Sequence, residues 1–579
     1  MTLYQVTQTT DNGNGDTEGT LSYAILQANR NAGTDAIELK TNVRIISVMK
    51  TLPNSDIVVI GNGKTVSGDA NNDGQTDDGD LRPFFIKSGK VDFYDLTITN
   101  STAKGGDSGF GGGGAGMGGG MFIYGGKVSL SGVTFSNNRA QGGNGTNSRN
   151  IGGGGMFGNG DGGGGGLFGS SSGGSGGYGG SGNYGGGPGR FGGGGDAPKL
   201  AAAAGFGGGG GGPYGAGGGF GGGGSFGGIG LQGGRGGIAG YGGGGGSGNF
   251  GGDGGYGDGN GGGLGGGNGG GYGGTLRGGG GAGMGGAIFI RSGDLTLNGV
   301  NLNNNSASGG SGGNNGKGLG GALFIMQRTT TNGNNQGMPT TRPTVVSEGT
   351  QPTYSGNSAN DDTGATNNND NVFGTVNTVT DSKAGNNTIN GTDNSNTLDG
   401  GAGNDTINGL GSNDILIGGM GNDNLNGGAG SDILYGGLGS DNLNGGAGND
   451  TLIGGEGVDR FIFNSGQQFT QATAQQVGLD TITDFVQGSD KIVLSKTTFT
   501  GIDSKVGDGF SEGVEFRVVE NTSVLNNLLN SLGPVNIVYN KETGGLNYIS
   551  DSPVALRFTR IATIQGSPAL NASDFQIIA

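Results

Sequence analysis

Residues 400–462 read GGAGNDTIN (400–408), GLGSNDILI (409–417), GGMGNDNLN (418–426), GGAGSDILY (427–435), GGLGSDNLN (436–444), GGAGNDTLI (445–453) and GGEGVDRFI (454–462). SKAGNNTIN (382–390) and GTDNSNTLD (391–399) precede them in the same frame. A nine-residue period that holds phase over nine units specifies a stacked architecture rather than a compositional bias. The first six positions are glycine-rich and predict turns, because glycine reaches the positive φ angles that tight turns need. The last three predict a short strand with one inward apolar residue: Ile407, Leu416, Leu425, Leu434, Leu443, Leu452 and Phe461.

Two nonapeptides then make one coil of a flattened parallel β-roll, and turns on one edge recur every 18 residues. That spacing stacks Asp405, Asp423, Asp441 and Asp459 on one edge, and Asp414, Asp432 and Asp450 on the other. A column of carboxylates repels itself unless cations intervene. Glycine-turn carbonyls would complete an all-oxygen site, the donor set that suits Ca²⁺. Asn387 and Asn396 stand where the first two units would carry the aspartate, which predicts weak binding or a capping role there.

The repeat G-G-x-G-x-D-x-U-x closely resembles the calcium-binding nonapeptide of repeats-in-toxin (RTX) proteins. The resemblance implies multiple Ca²⁺ ions and export by type I secretion. After the repeats, LDTITDFVQGSDKIVLS (479–495) resembles the segment that closes RTX rolls; it adds Asp480 and Asp484 as candidate ligands beside Asp459, and Ile482, Phe485, Ile492, Val493 and Leu494 as core seals. LNASDFQIIA (570–579) resembles the C-termini of RTX secretion substrates.

The other end of the chain carries a second kind of repeat. PFFIKSGKVDFYDLTITNSTAKGG (83–106), GMFIYGGKVSLSGVTFSNNRAQGG (120–143) and GAIFIRSGDLTLNGVNLNNNSASGG (286–310) share a Phe-Ile step, an alternating apolar strand and Asn/Ser-rich turns. GALFIM (321–326) opens a fourth, completed near Tyr354. Short strands at this spacing predict a parallel β-helix. This part resembles the right-handed, pectate-lyase-like β-helices of bacterial surface adhesins, including a capping helix at GTLSYAILQAN (19–29). The helix is expected over Thr20–Asn31, with Thr20 as N-cap, Leu21, Ala24, Ile25 and Ala28 on its buried face, and Gly33 just past its end. Between the first strands and the Phe-Ile coils, residues 69–80 place oxygens at positions 1, 3, 5, 9 and 12 with Gly74 at 6. That is EF-hand calcium-loop spacing without flanking helices. Asp69, Asn71, Asp73, Gln75 and Asp80 are its candidate ligands, with Asp77 at position nine.

The expected class is therefore all-β. Its parts are a β-helix with a capping helix (1–143), a glycine-rich insertion (144–280), a second β-helix part with connector (281–376), the RTX roll (377–463), and a β-rich C-terminal cap and secretion-signal region (464–579). The insertion is bracketed by GAGMGGGMFI (114–123) and GAGMGGAIFI (281–290), so the coils align across it. Its glycine runs, punctuated by residues such as Phe157, Tyr178, Phe220 and Tyr272, admit two readings: a flexible linker, or a bundle of polyglycine-II strands.

Composition bounds the function. The chain has 579 residues, 156 of them Gly, and a net charge of −16, with no Cys, Trp or His. The acidic balance argues against nucleic acid and anionic membranes as partners. Without histidine, Ser-His-Asp and Cys-His catalysis and HExxH zinc sites are excluded. MTLYQVTQTT (1–10) has neither a basic n-region nor an apolar h-region, and no apolar run reaches the ~18 residues of a membrane span. These features predict a secreted, calcium-binding structural or adhesive surface protein rather than an enzyme, folding on Ca²⁺ outside the cell. Its further partners would be copies of itself, in filaments or a surface layer, or cell-surface polysaccharide. A calcium-dependent polysaccharide lyase or epimerase and an ice-binding protein are the alternatives.

Overall fold

The structure is a computed structural model. It describes residues 2–108, 112–145, 279–327, 329, 339–360, 370–378, 385–465, 478–510, 515–528, 536–549 and 559–579. Nearly all of the glycine-rich insertion, and both readings of it, lie outside these residues. The chain divides into two compact units, residues 2–379 and 380–579.

The first unit is a parallel β-helix. Its longest sheet path runs Leu3–Val6, Asp35–Leu39, Ile57–Ser67, Lys90–Thr99, Lys127–Ser131, Asp294–Asn298, Thr344–Ser347 and Asn377–Thr378. A second stack runs Phe84–Ile86, Met121–Ile123, Ile288–Ile290, Leu323–Ile325 and Val372–Phe373. Every neighbouring pair in both is parallel, with one register shift where Ile57–Ser67 pairs Lys90–Thr99, and Phe122 stands opposite both Phe85 and Phe289. The same register carries Met121 onto Ile288, so the coil continues as though the intervening insertion were a single loop.

The Phe-Ile step does two jobs because successive strand residues face opposite ways. Ile86, Ile123, Ile290 and Ile325 enter the main core. Phe85, Phe122, Phe289, Phe324 and Phe373 point to the other side and stack with ring centroids 4.7, 4.9, 5.0 and 4.7 Å apart. At the Asn-rich turns, buried Asn138 donates from Nδ2 to Asn305 Oδ1 at 3.0 Å, and Asn305 Nδ2 donates to Asn357 Oδ1 at 3.1 Å. Each amide also donates to a backbone carbonyl of the preceding coil: Ile98, Phe135 or Leu302. The ladder satisfies turn carbonyls that would otherwise be buried without donors.

The capping helix spans Leu21–Ala28, and Thr20 accepts from the Tyr23 N–H as expected of an N-cap. Leu21, Ala24, Ile25 and Ala28 join the β-helix core. Asp11, fully buried, accepts from the Ser22 N–H and hydroxyl, both at 2.6 Å, placing a carboxylate at the helix N-terminus where the dipole favours it. The helix stops three residues earlier than the sequence suggests. Asn29, not a glycine, takes the cap position, and Gly33 serves the following turn with φ +93°.

The second unit is the roll and its cap. One sheet runs Thr388–Asn390, Thr406–Gly411, Asn424–Ala429, Asn442–Ala447, Arg460–Phe463, Lys491–Ser495 and Phe575–Ile578. The opposite sheet runs Thr397–Ala402, Ile415–Met420, Ile433–Gly439, Thr451–Gly457, Asp480–Ile482 and Thr559–Ile564, then three further strands, Gly545–Tyr548, Ile537–Asn540 and Phe516–Val519. Pairing is parallel with an offset of 18: Ile407 faces Leu425, and Leu416 faces Leu434. All seven inward residues expected from the period are buried.

The strands are longer than the three residues expected. They continue through the next Gly-Gly-x, and the turn shrinks to the central positions. The second glycine of most units has positive φ, as at Gly419 (+110°) and Gly437 (+111°). Unit 409–417 departs, with Leu410 at φ +77° in that place and half exposed. A left-handed non-glycine residue costs about 1–2 kcal/mol, partly offset by the chain entropy glycine loses on folding. Leu410→Gly is expected to stabilise the calcium-loaded roll by roughly 0.5–1 kcal/mol. A raised denaturant midpoint with unchanged slope checks this.

Candidate metal centre

Each repeat aspartate stands two residues before its inward strand residue, at the point where the glycine turn rejoins the sheet. The 18-residue stacking brings the backbone N–H of one aspartate onto the carboxylate of the next. Asp405 N donates to Asp423 Oδ1 at 2.7 Å, Asp423 N to Asp441 Oδ1 at 2.7 Å, and Asp441 N to Asp459 Oδ1 at 2.9 Å. On the other edge, Asp414 N donates to Asp432 Oδ1 at 2.8 Å and Asp432 N to Asp450 Oδ1 at 2.9 Å. The two columns begin at Asn387 and Asn396, whose N–H groups donate to Asp405 and Asp414 at 2.7 Å. At both places an asparagine side chain ends the row of carboxylates.

One carboxylate oxygen is thus spent on the stack. The other is left over: Oδ2 of Asp405, Asp414, Asp423, Asp432, Asp441 and Asp450 is buried without a hydrogen-bond partner. Each of these oxygens faces back toward the first glycine of its own unit. A Cβ placed on Gly418 would lie 2.4 Å from Asp423 Oδ2 and 2.5 Å from the Gly436 carbonyl oxygen. The same pair of acceptors surrounds Gly400, Gly409, Gly427 and Gly436. Glycine is needed here for space, since none of these five has a positive φ. Carboxylate and carbonyl oxygens brought this close together are the hard, all-oxygen set that Ca²⁺ accepts.

The acidities follow from this burial. Desolvation pushes Asp423 up to about 6, Asp432 to about 7, Asp441 to about 8 and Asp459 to about 7, with neighbouring carboxylates adding to the rise in each. Burial likewise raises Asp450 to about 6 and raises Asp414. Without a cation, these positions hold protons far more tightly than ordinary carboxyls.

The closing segment differs from the sequence expectation in one respect. Asp480 does not sit beside Asp459. It ends the other column, accepting from Asp450 N at 3.1 Å, and burial raises its pKa well above the usual value. Asp484 accepts from the N–H groups of Gly454 and Gly455 at 3.0 and 2.9 Å and adds its charge to the environment of Asp459. The residue stacked over Asp459 is Asp490, which accepts from its N–H at 3.0 Å. Asp490 was legible: GLDTI (478–482) and GSDKI (488–492) repeat the G-x-D-x-U signature of GNDTI (403–407), with the 18-residue spacing stretched to 30 and 31.

The 69–80 loop belongs to the other unit. Asp69 accepts from the N–H groups of Asp73 (3.1 Å) and Gly74 (2.9 Å), Asn71 and Asp73 cap turns within the loop, and Asp80 accepts from Asp77 N at 2.7 Å. Gln75 N donates to Asp73 Oδ1, and Gly74 at position six has φ +76°. Burial raises Asp80 to about 6.

A stacked parallel roll with two columns of buried, half-satisfied aspartates defines a calcium-binding β-roll. Residues 382–416, 400–434, 409–443 and 435–467 each match the RTX calcium-binding nonapeptide repeat, so this part of the chain is of RTX type, and such repeats bind multiple Ca²⁺ ions. The match covers the roll and not the β-helix unit. No curated protein matches the chain. Among solved structures it is similar to a subunit (AlgE6R3) of the mannuronan C5-epimerase of Azotobacter vinelandii, determined in solution. That similarity has 21% identity and a TM-score of 0.15, and covers 33% of this chain and 78% of that one. Among the described residues, no helix is long and apolar enough to cross a membrane.

Proposed function

We propose that this chain is a secreted, calcium-dependent structural or adhesive protein of the cell exterior. In this reading Asp405, Asp414, Asp423, Asp432, Asp441, Asp450 and Asp459 hold the ions along the roll, and Asp480, Asp484 and Asp490 close the two columns. The observation that carries it is the row of buried Oδ2 atoms without partners. An unpaired buried carboxylate is costly, and a bound divalent cation supplies the missing charge and coordination.

The energetics give the roll its dependence on metal. Each unit buries one to three large apolar side chains, such as Leu443 alone or Ile415, Leu416 and Ile417 together; at roughly 1.5–3 kcal/mol apiece these do not offset the ordering of nine residues. The carboxylate columns add repulsion. Calcium binding then becomes folding free energy, as in other small metal-dependent domains. Free Ca²⁺ is scarce in the cytosol and plentiful outside, so the chain leaves the cell with its roll unfolded and sets on the exterior. The β-helix, an extended solenoid without histidine or cysteine, is a passive passenger suited to a surface layer or to contact with cell-surface polysaccharide.

Electron microscopy of the full-length protein tests the reading. Calcium-loaded protein should form filaments or sheets that disperse in chelator. Dispersed particles in both conditions would remove self-assembly from the account. Unsaturated product from pectin or alginate incubated with the protein would replace the structural reading with a lyase.

A further inference from the structure

We propose that the four Asn-Gly bonds of the roll are deamidation sites that calcium keeps closed: Asn390-Gly391, Asn408-Gly409, Asn426-Gly427 and Asn444-Gly445. The inference rests on the reading that calcium folds the roll. All four lie on one sheet, one to a coil, and the matching positions on the opposite sheet are Asp399, Ile417, Tyr435 and Ile453. The vulnerability is a consequence of the metal site. Deamidation begins with attack on the Asn side chain by the next backbone nitrogen, and glycine obstructs that approach least. Glycine cannot be exchanged at these places, since a Cβ on Gly409 would lie 2.5 Å from Asp414 Oδ2 and one on Gly427 would lie 2.5 Å from Asp432 Oδ2. Asn424 and Asn442, in the neighbouring outward column, are followed by Leu425 and Leu443 and are obstructed.

In the open chain the glycine nitrogen attacks the Asn Cγ. The N–Cγ bond forms, the Cγ–Nδ2 bond breaks, and the amide leaves as ammonia with the proton of the glycine nitrogen. Water then opens the cyclic imide at either carbonyl, giving aspartate or isoaspartate. The folded roll blocks the first step. Three of the bonds lie inside strands, Thr406–Gly411, Asn424–Ala429 and Asn442–Ala447, where side chains stand off the backbone, perpendicular to the sheet. At the fourth, the Gly391 N–H donates to the Asn408 carbonyl at 2.7 Å. Asn408 Nδ2 donates to Asn390 Oδ1 at 2.9 Å, tying the amides of adjacent coils to one another. Reaction therefore needs an open roll, and its rate follows the open population. Calcium at about 100 times its dissociation constant lowers that population about 100-fold.

The change runs one way. Isoaspartate routes the main chain through the side-chain carbon, lengthening it directly before the glycine that must fit beside an aspartate Oδ2 and the carbonyl of the next coil, as Gly409 fits beside Asp414 and Gly427. A chain left without calcium thus loses, bond by bond, the ability to set when calcium returns.

The test uses the full-length protein, incubated at pH 8 in excess Ca²⁺ or in chelator. Peptide mass spectrometry reads conversion at each asparagine, and hydrogen exchange over residues 385–465 is followed in parallel. Asn390, Asn408, Asn426 and Asn444 should convert faster in chelator by roughly tenfold or more. Asn298-Gly299 is the internal control: it lies in the β-helix, with the Gly299 N–H on the Thr350 carbonyl at 2.7 Å, and should convert at one rate in both. Calcium added back should restore protection to unconverted chains and not to converted ones. The variant carrying Asn390→Gln, Asn408→Gln, Asn426→Gln and Asn444→Gln, whose longer side chains close the corresponding ring far more slowly, should recover in full. Equal conversion in the two conditions would overturn the proposal, as would full recovery of converted wild-type chains. Equal conversion with the roll open in chelator leaves the reading of the roll standing; equal conversion with the roll closed in both defeats that reading as well.

Discussion

Gly436→Ala is expected to reduce calcium affinity at the adjoining turns by at least an order of magnitude, while Gly411→Ala leaves it unchanged. A Cβ on Gly436 would lie 2.4 Å from Asp441 Oδ2 and 2.5 Å from the Gly454 carbonyl oxygen, closer than side-chain atoms approach oxygen. Either the carboxylate turns away or the neighbouring coil shifts, and overpacking of this kind costs about 1–3 kcal/mol before any lost coordination is counted. Both oxygens belong to the donor set proposed for the metal. Gly411 is the matched control: its Cβ would meet atoms of Asp393 only at 3.6 and 3.7 Å, ordinary contact, and its φ is not positive. Calcium titration of the two variants followed by calorimetry reads the difference. Equal affinities would show that the space beside the first glycine is not part of the site.

Acid is expected to substitute partly for calcium. In the metal-free roll, burial raises the carboxyls of Asp423, Asp432, Asp441, Asp450 and Asp459 to between about 6 and about 8. A carboxyl whose folded pKa lies above its unfolded value of about 3.9 favours the folded state when protonated. That contribution is complete below pH ~4 and is lost as pH rises through about 6 to 8. With chelator present, the roll should hold more β-structure at pH 5.5 than at pH 8; both values lie above the sequence pI of about 4.4, where solubility is poorest. With calcium present the direction reverses, because protons compete for the same oxygens, and binding near pH 6.5 should release protons into unbuffered solution. Circular dichroism in chelator at the two pH values, paired with proton-release measurements, checks both signs.

Much of this was readable from the chain because the repeats state it so often. The period of nine identified the inward residues, and the doubled period assigned each aspartate to an edge. The Phe-Ile step marked the coils on both sides of the insertion, and Phe122 against Phe289 is the pairing it called for. What escaped were features set by three-dimensional proximity. The first glycine of each unit looks like any turn glycine, yet it is required by the oxygens of a coil 18 residues away, as Gly418 is by Gly436. Asp480 and Asp490 carry the repeat's signature, but they lie beyond a break in the period, and a break removes the spacing that assigns an edge. The helix end was misplaced because Gly33 is an attractive terminator in sequence, whereas the Asn29 side chain finds its own partner in the Leu52 carbonyl at 2.9 Å. The Asn138–Asn305–Asn357 ladder lies in turns that read only as polar.

The central claim is that calcium on the aspartate columns is what folds the roll. Hydrogen exchange on the full-length protein at pH 7.5, with excess Ca²⁺ and then with chelator, tests it most directly. Residues 385–465 should be protected with calcium and exchange near the unfolded rate without it, while β-helix strands such as Met121–Ile123 and Ile288–Ile290 stay protected in both. Equal protection of residues 385–465 in the two conditions would contradict the account.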